Sequence, residues 1–436
     1  MTDNSSKNNL VPMLIIGAMF FIFGFVTWIN GVLIPFMKTI NELTDTQAYL
    51  VATASYVAFV VMALPSSYLL KKVGYKKGMS IGLMIMAVGA LVFIPAAEAR
   101  TYWMFLAGIF IQGTGMTLMQ TAANPYITIL GPIESGAKRI AMMGIANKVA
   151  GSIGSIVFGT LLLSGIDDVK DKLSLVSSDE KSQLLDTMAN SVVTPYIIMA
   201  TVLFLFGLLI LKAPLPELEG DVDEEVAEGT TAKTSIFQFP HLWLGVLALF
   251  VYVGAEVIAG DSIIAYGLSL GLPAEQASNF TSYTLMAMVF TYALGVLLIP
   301  KYLSQGLALK ISAALGIVFS ICILMTTGFT SVLFVAALGI ANALVWPAIW
   351  PLTLHGLGKF TKTGSALLVM AISGGAIIPP LYGRIVDAGK HDLVTNGIAE
   401  AEALASSSNS SYWILLPCYI IILYYAIWGH KVGFKK

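Results

Sequence analysis

Glu256, Asp261 and Lys148 are ionisable side chains set deep inside apolar runs. The stretch FVYVGAEVIAGDSIIAYG at 250–267 carries the two acids, and IAMMGIANKVAGSIGS at 140–155 carries Lys148 beside Asn147. An ionisable group in hydrocarbon is costly, so it faces protein or water and marks a functional position by default. A carboxylate there has three chemistries open to it. It takes up a proton, it offers hard oxygens to sodium (at Asp261 or Glu256), or it accepts hydrogen bonds from a hydroxylated ligand. Glu256, Asp261 and Lys148 are therefore the candidate cation-coupling residues. Lys148 can pair with Glu256; the alternative to a working pair is a static one that holds a single conformation. The two acids are five residues apart, about 140° around an ideal helix, and need not share a face. Gly254 and Gly260 leave room for an irregular turn that would bring them closer.

A second group of polar residues is uncharged. QGTGMTLMQTAANPYITILGP at 112–132 sets Gln112, Gln120, Asn124 and Pro125 in an otherwise membrane-like segment. Gln120 and Asn124 are four apart and project from one helical face. Asn30 follows Trp28 in WINGVLIPF, and ANALVWPAIWPLTLHG at 341–356 places Asn342, Trp346 and Trp350 at i, i+4 and i+8. Pro347 and Pro351 bend or break that helix. Amides beside tryptophans suit a pyranose, which presents hydroxyls to hydrogen-bonding groups and an apolar C–H face to an aromatic ring. Asn30, Gln112, Gln120, Asn124, Asn147, Glu256, Asn342, Trp346 and Trp350 are the candidate substrate-binding residues. The alternative for any one of them is helix-to-helix glue or ordinary packing.

The elements that must position these groups are transmembrane helices. The chain is 57% hydrophobic and 11% charged, where a soluble domain carries about a quarter charged residues, and its mean hydropathy is +0.82. Apolar runs of about 20 residues fall at 11–37, 47–70, 78–97, 102–130, 140–164 and 192–212, then at 241–268, 278–300, 306–327, 331–356, 364–386 and 412–430. The acidic stretch PELEGDVDEEVAEGTTAKTSIFQFP between the sixth and seventh runs has no apolar periodicity and reads as a linker. The expected organisation is an N-terminal half at 1–212, a cytoplasmic linker at 213–240 and a C-terminal half at 241–436. With both ends inside, 16 Lys and Arg residues lie on the cytoplasmic side against seven outside, Lys148 set aside. The positive-inside rule then predicts cytoplasmic termini, and the polar start MTDNSSKNNL reads as a retained tail. The halves echo each other at an offset of 224 residues, pairing Lys138 with Lys362, Gly151 with Gly375 and Gly159 with Gly383. Cys322 and Cys418 sit in apolar stretches and have no metal-type spacing. No nucleotide loop, metal cluster or nucleophile–base arrangement points to an enzyme.

Several segments in order resemble the fucose permease branch of the major facilitator superfamily. They are WINGVLIPF at 28–36, SYLLKKVGYKKGMSIGL at 67–83, FIPAAE at 93–98, QTAANP at 120–125, YVGAEV at 252–257 and SGGAIIPPLYG at 373–383. The YVGAEV stretch is more similar to the glucose/galactose carriers of that branch. The resemblance implies an all-α integral membrane protein with twelve helices. Two six-helix halves would enclose a central cavity lined by the first, fourth, seventh and tenth. It implies a secondary carrier of a neutral hexose by cation symport in a bacterial inner membrane, acting as a monomer without a cofactor. Proton-coupled carriage of another sugar is the alternative within the branch; a drug or metabolite exporter and a membrane sugar receptor stand further off. Asn147 and Asn124 match asparagines of the branch. Fucose permeases carry an aspartate and a glutamate where this chain has Gly31 and Gln120, so their proton route does not transfer. Coupling is expected to shift to Glu256 or Asp261, with sodium favoured over proton.

Overall fold

In the computed structural model, residues 10–129, 136–173, 175–215, 234–299 and 301–434 are described. Among them the secondary structure is helical, as it must be where hydrocarbon offers the backbone no hydrogen-bond partner. We number the twelve spans in chain order. The first six are α1 (Leu10–Trp28, continued as Asn30–Ile40), α2 (Leu50–Val73), α3 (Tyr75–Leu91), α4 (Tyr102–Ile129), α5 (Gly136–Leu163) and α6 (Val193–Lys212). The second six are α7 (Pro240–Val257, extended by Ile263–Ser269), α8 (Phe280–Leu298), α9 (Gln305–Met325), α10 (Gly328–Asn342, then Val345–Leu354), α11 (Thr361–Ala371, then Gly374–Thr395) and α12 (Leu415–Ile427). By length and composition 11 helices among the described residues can cross a membrane. The twelfth is α4, 28 residues long, whose glycines and amides dilute its hydropathy. Most of the linker, 216–233, lies outside the described residues.

Large apolar side chains point outward all round the bundle: Leu64, Leu209, Phe290 and Leu297 are each more than half exposed. In water that would be an aggregation surface; here it is the face that meets lipid. The start of α1 and the end of α12 share one face of the bundle, and the α1–α2, α5–α6, α7–α8 and α11–α12 connections lie on the opposite, distal face. The halves meet along a seam where α2 packs on α11, α5 on α8 and α1 on α7.

Departures from regular helix cluster where chemistry was expected. A π turn over Ile258–Ser262 interrupts α7, so the room left by Gly260 is used. In α10 the helix stops at Asn342 and restarts at Val345. Pro347 has no N–H for the Ala343 carbonyl four residues earlier, and its ring clashes with it. Asn342 lies on one segment and the two tryptophans on the next, with Ala343 and Leu344 between them still in the right-handed helical region.

Close helix approach requires glycine where α1 meets α5. A Cβ added at Gly24 would run into the Asn147 carbonyl oxygen. We expect Gly24→Leu to lower stability by about 1–3 kcal/mol through overpacking, seen as a lower Tm in detergent. The α5 backbone that carries Asn147 and Lys148 would be displaced with it. An unchanged Tm would show that α1 slides without cost.

Candidate functional site

The seam between halves is bridged by charge. Lys148 Nζ on α5 lies 2.8 Å from Glu256 Oε1 on α7, with side chains 8% and 12% exposed. The ammonium also sits 4.1 Å from the centre of the Trp28 ring, a cation–π contact that partly offsets its lost hydration. The Trp28 indole N–H donates to Asn147 Oδ1 at 3.1 Å, and the Asn147 amide N–H donates to the Phe20 carbonyl at 3.4 Å. Ser155 Oγ donates to the Trp28 carbonyl at 3.1 Å. The indole fits because the residues beside it have no side chain: an added Cβ at Gly151 or Gly260 would collide with the ring. Three helices, α1, α5 and α7, thus converge on one tryptophan.

Next to this cluster the π turn of α7 presents oxygen. The carbonyls of Gly260 and Ala259 accept from the hydroxyls of Thr281 at 2.6 Å and Thr284 at 3.2 Å on α8. Ser262 Oγ donates to the Ile258 carbonyl at 2.6 Å and pairs with the Tyr412 hydroxyl at 2.8 Å. Asp261 is 1% exposed. Its Oδ1 has no hydrogen-bond partner, and it makes no ion pair among the described residues. Leaving a buried carboxylate unmatched is expensive. Glu256 is engaged by Lys148, whereas Asp261 has no such pairing among the described residues. Gly31 of α1 abuts it: a Cβ at position 31 would lie 3.0 Å from Thr281 Oγ1 and 3.3 Å from both the Gly260 carbonyl oxygen and Asp261 Cα.

The other expected residues divide. Asn30 is buried, with Nδ2 unpartnered, one residue from Gly31 and the π turn. Gln120 is buried in α4; the side chain of Asn124 lies outside the described residues. Gln112 packs against Gly89 of α3 within its own half and does not join the Lys148 cluster. Asn342 is fully buried and accepts at 2.9 Å from the Tyr419 hydroxyl of α12. Trp346 and Trp350 are partly buried and stack on each other, ring centres 5.3 Å apart at 26°.

Thr281 and Thr284 are not among the expected residues, and Trp28, noted in sequence beside Asn30, is not among the expected binding residues. The threonines of α8 are ordinary helix residues until the π turn places carbonyls against them. Among the described residues no group of three or more His, Cys, Asp or Glu side chains is arranged to hold a metal ion.

A membrane-spanning helical bundle with a charged, aromatic centre on an internal seam is the arrangement of a membrane carrier. The chain belongs to the major facilitator superfamily, whose family pattern matches residues 16–380; it is a multi-pass membrane transporter and not an enzyme. It is 31% identical over 435 residues to a glucose/galactose transporter of Brucella abortus biovar 1 (strain 9-941), covering 99% of this chain and 97% of that protein. It is also 31% identical over 392 residues to the L-fucose-proton symporter of Escherichia coli (strain K12), covering 88% of each. The crystal structure of the major facilitator transporter FucP in the outward conformation superposes with a TM-score of 0.72 at 28% identity, over 97% of this chain and 99% of that one.

Proposed function

We propose that the protein imports a neutral monosaccharide of the glucose/galactose class by symport with sodium. The observation that carries this reading is the centre on the seam. The Trp28–Asn147–Lys148–Glu256 cluster spans both halves, beside a buried carboxylate, Asp261, with an unmatched oxygen. Amide, carboxylate and aromatic groups in one place suit sugar hydroxyls and a C–H face. The names of the relatives at 31% identity point to sugars as well. The oxygen-rich π turn favours sodium, because carbonyls of irregular transmembrane segments are where coupling ions are held. It also accounts for Gly31. The acid that the fucose permeases carry at that position is absent, and the backbone of Asp261 lies against the same place from the opposite half.

In this reading residues 1–212 rock against 241–436, joined by the linker at 213–240, and the protein acts as a monomer in a bacterial inner membrane. The surplus of Lys and Arg on the chain-end face supports cytoplasmic termini, which makes the distal face periplasmic. The test is uptake of labelled glucose into proteoliposomes with sodium and proton gradients imposed separately. We expect accumulation with an inward sodium gradient at clamped pH. Accumulation with a proton gradient alone would transfer Asp261 to proton carriage. Failure of glucose and galactose to compete with each other would overturn the substrate class.

A further inference from the structure

The seam is closed on the distal face by contacts that occur twice, once on each side of the pseudo-two-fold relation between halves. On one side Asp387, in the second segment of α11, reaches the α1–α2 connection. Its Oδ1 accepts from the Asp45 N–H at 3.0 Å, and its Oδ2 accepts from the Thr46 N–H at 2.7 Å and the Thr46 hydroxyl at 2.5 Å. On the other side Asp167, just past the end of α5, reaches the α7–α8 connection, where its Oδ2 accepts from the Ala274 N–H at 2.8 Å.

The surroundings repeat as well. Gly383 packs on Tyr49 and the Asp45 carbonyl, and Gly159, 224 residues earlier, packs on Ser278. The Thr53 hydroxyl donates to the Ala376 carbonyl at 2.7 Å; the Ser282 hydroxyl donates to the Ser152 carbonyl at 3.1 Å. Ser152 and Ala376 are again 224 residues apart, whereas Asp167 and Asp387 are 220 apart, so the two carboxylates lie about one helical turn out of register with that repeat. Lys38 holds the first connection in shape through its ion pair with Asp45 at 2.6 Å.

We infer that Asp167 and Asp387 are a pseudo-symmetric pair of latches, positioning residues of the transport cycle, and that releasing both is the step that opens the distal face. The Asp387, Asp167, Thr53 and Ser282 contacts all join opposite halves, so none of them survives when the halves swing apart at that end. Hydrogen bonds to a charged acceptor are stronger than neutral ones, and they are specific to the closed arrangement. The free-energy difference between the two end states of the carrier therefore rests in part on two carboxylates that touch neither sugar nor cation.

The latches are unequal in one useful respect. Asp387 uses both oxygens, so Asp387→Asn must turn an amide N–H toward a donor. Asp167 uses one oxygen here, so Asp167→Asn can rotate and keep a weaker bond.

The experiment needs no ligand. Nitroxide labels are placed at Glu98→Cys and Asn396→Cys, exposed positions on opposite halves of the distal face, in a Cys322→Ala, Cys418→Ala background. The full-length protein is held in lipid nanodiscs, and the distance distribution is read by double electron–electron resonance. Each alanine variant, Asp167→Ala or Asp387→Ala, is expected to raise the ratio of open to closed populations about tenfold, and the double variant more. Asp387→Asn should match Asp387→Ala, whereas Asp167→Asn should fall between parent and Asp167→Ala. Asp168→Asn, the same change of charge one residue along, should leave the distribution unchanged. A folded double alanine variant with the parent distribution overturns the proposal. If that variant does not fold, the two asparagine variants decide: identical parent-like distributions overturn it, and the expected asymmetry sustains it.

Discussion

Asp261→Asn is expected to abolish cation-driven accumulation while leaving sugar exchange across the membrane intact. One cation moved down a potential of about 100 mV supplies about 2.3 kcal/mol, which supports an accumulation ratio of about 50 at about 1.4 kcal/mol per factor of ten. With Asp261 as the coupling carboxylate, its loss brings that ratio to about one. The asparagine is nearly isosteric and neutral, so the π turn, its Thr281 and Thr284 contacts and the fold remain. The check is a pair of measurements on the same proteoliposomes, gradient-driven accumulation and counterflow at equal sugar concentrations. Normal accumulation by Asp261→Asn would remove Asp261 from the coupling machinery; loss of both activities would assign it to the sugar site or to folding.

The second large effect concerns the ion pair across the seam. Glu256→Gln leaves the Lys148 ammonium buried without its carboxylate, and Lys148→Met leaves Glu256 without its cation. Breaking a buried pair from one side costs about 3–5 kcal/mol, whereas replacing both partners is often neutral. We therefore expect each single variant to melt markedly lower and the double variant, Lys148→Met with Glu256→Gln, to return near the parent Tm. Transport separates the two meanings of the pair. A working pair predicts that the double variant, although stable, still fails to take up sugar, because its carboxylate contacts the ligand and the pair exchanges as the halves move. A static strut predicts that stability and uptake recover together. Trp28 adds a control: Trp28→Phe keeps a ring for the Lys148 ammonium but loses the N–H bonded to Asn147.

Much of the candidate site was legible one helix at a time. Lys148, Glu256 and Asp261 stand out because each is an ionisable group in an apolar run, and the cost of such a position is a property of the local sequence. Gly260 signalled an irregular turn, and the π turn lies there. Trp346 and Trp350 fall on the same short segment, as their spacing of four suggests. The helical period says less about neighbours. Asn342 meets Tyr419 of α12, which its spacing from the tryptophans does not reveal. Gln112 was placed with the other amides of α4, yet it faces Gly89 on α3, because a helix has several neighbours and the period alone does not say which of them a residue meets.

The sequence by itself determined that this is a membrane protein, where its apolar spans run, and which few residues are too polar to sit in hydrocarbon idly. Those properties follow from composition and from the helical period, which are local. Only the tertiary structure decided that Lys148 meets Glu256 across 108 residues, that Asp387 holds Thr46 across 341, and that Trp28 sits among three helices. Contacts of that kind depend on which glycines let which backbones approach and on how two halves close upon each other. Close packing across a seam is a property of the assembled bundle, and no single segment encodes it.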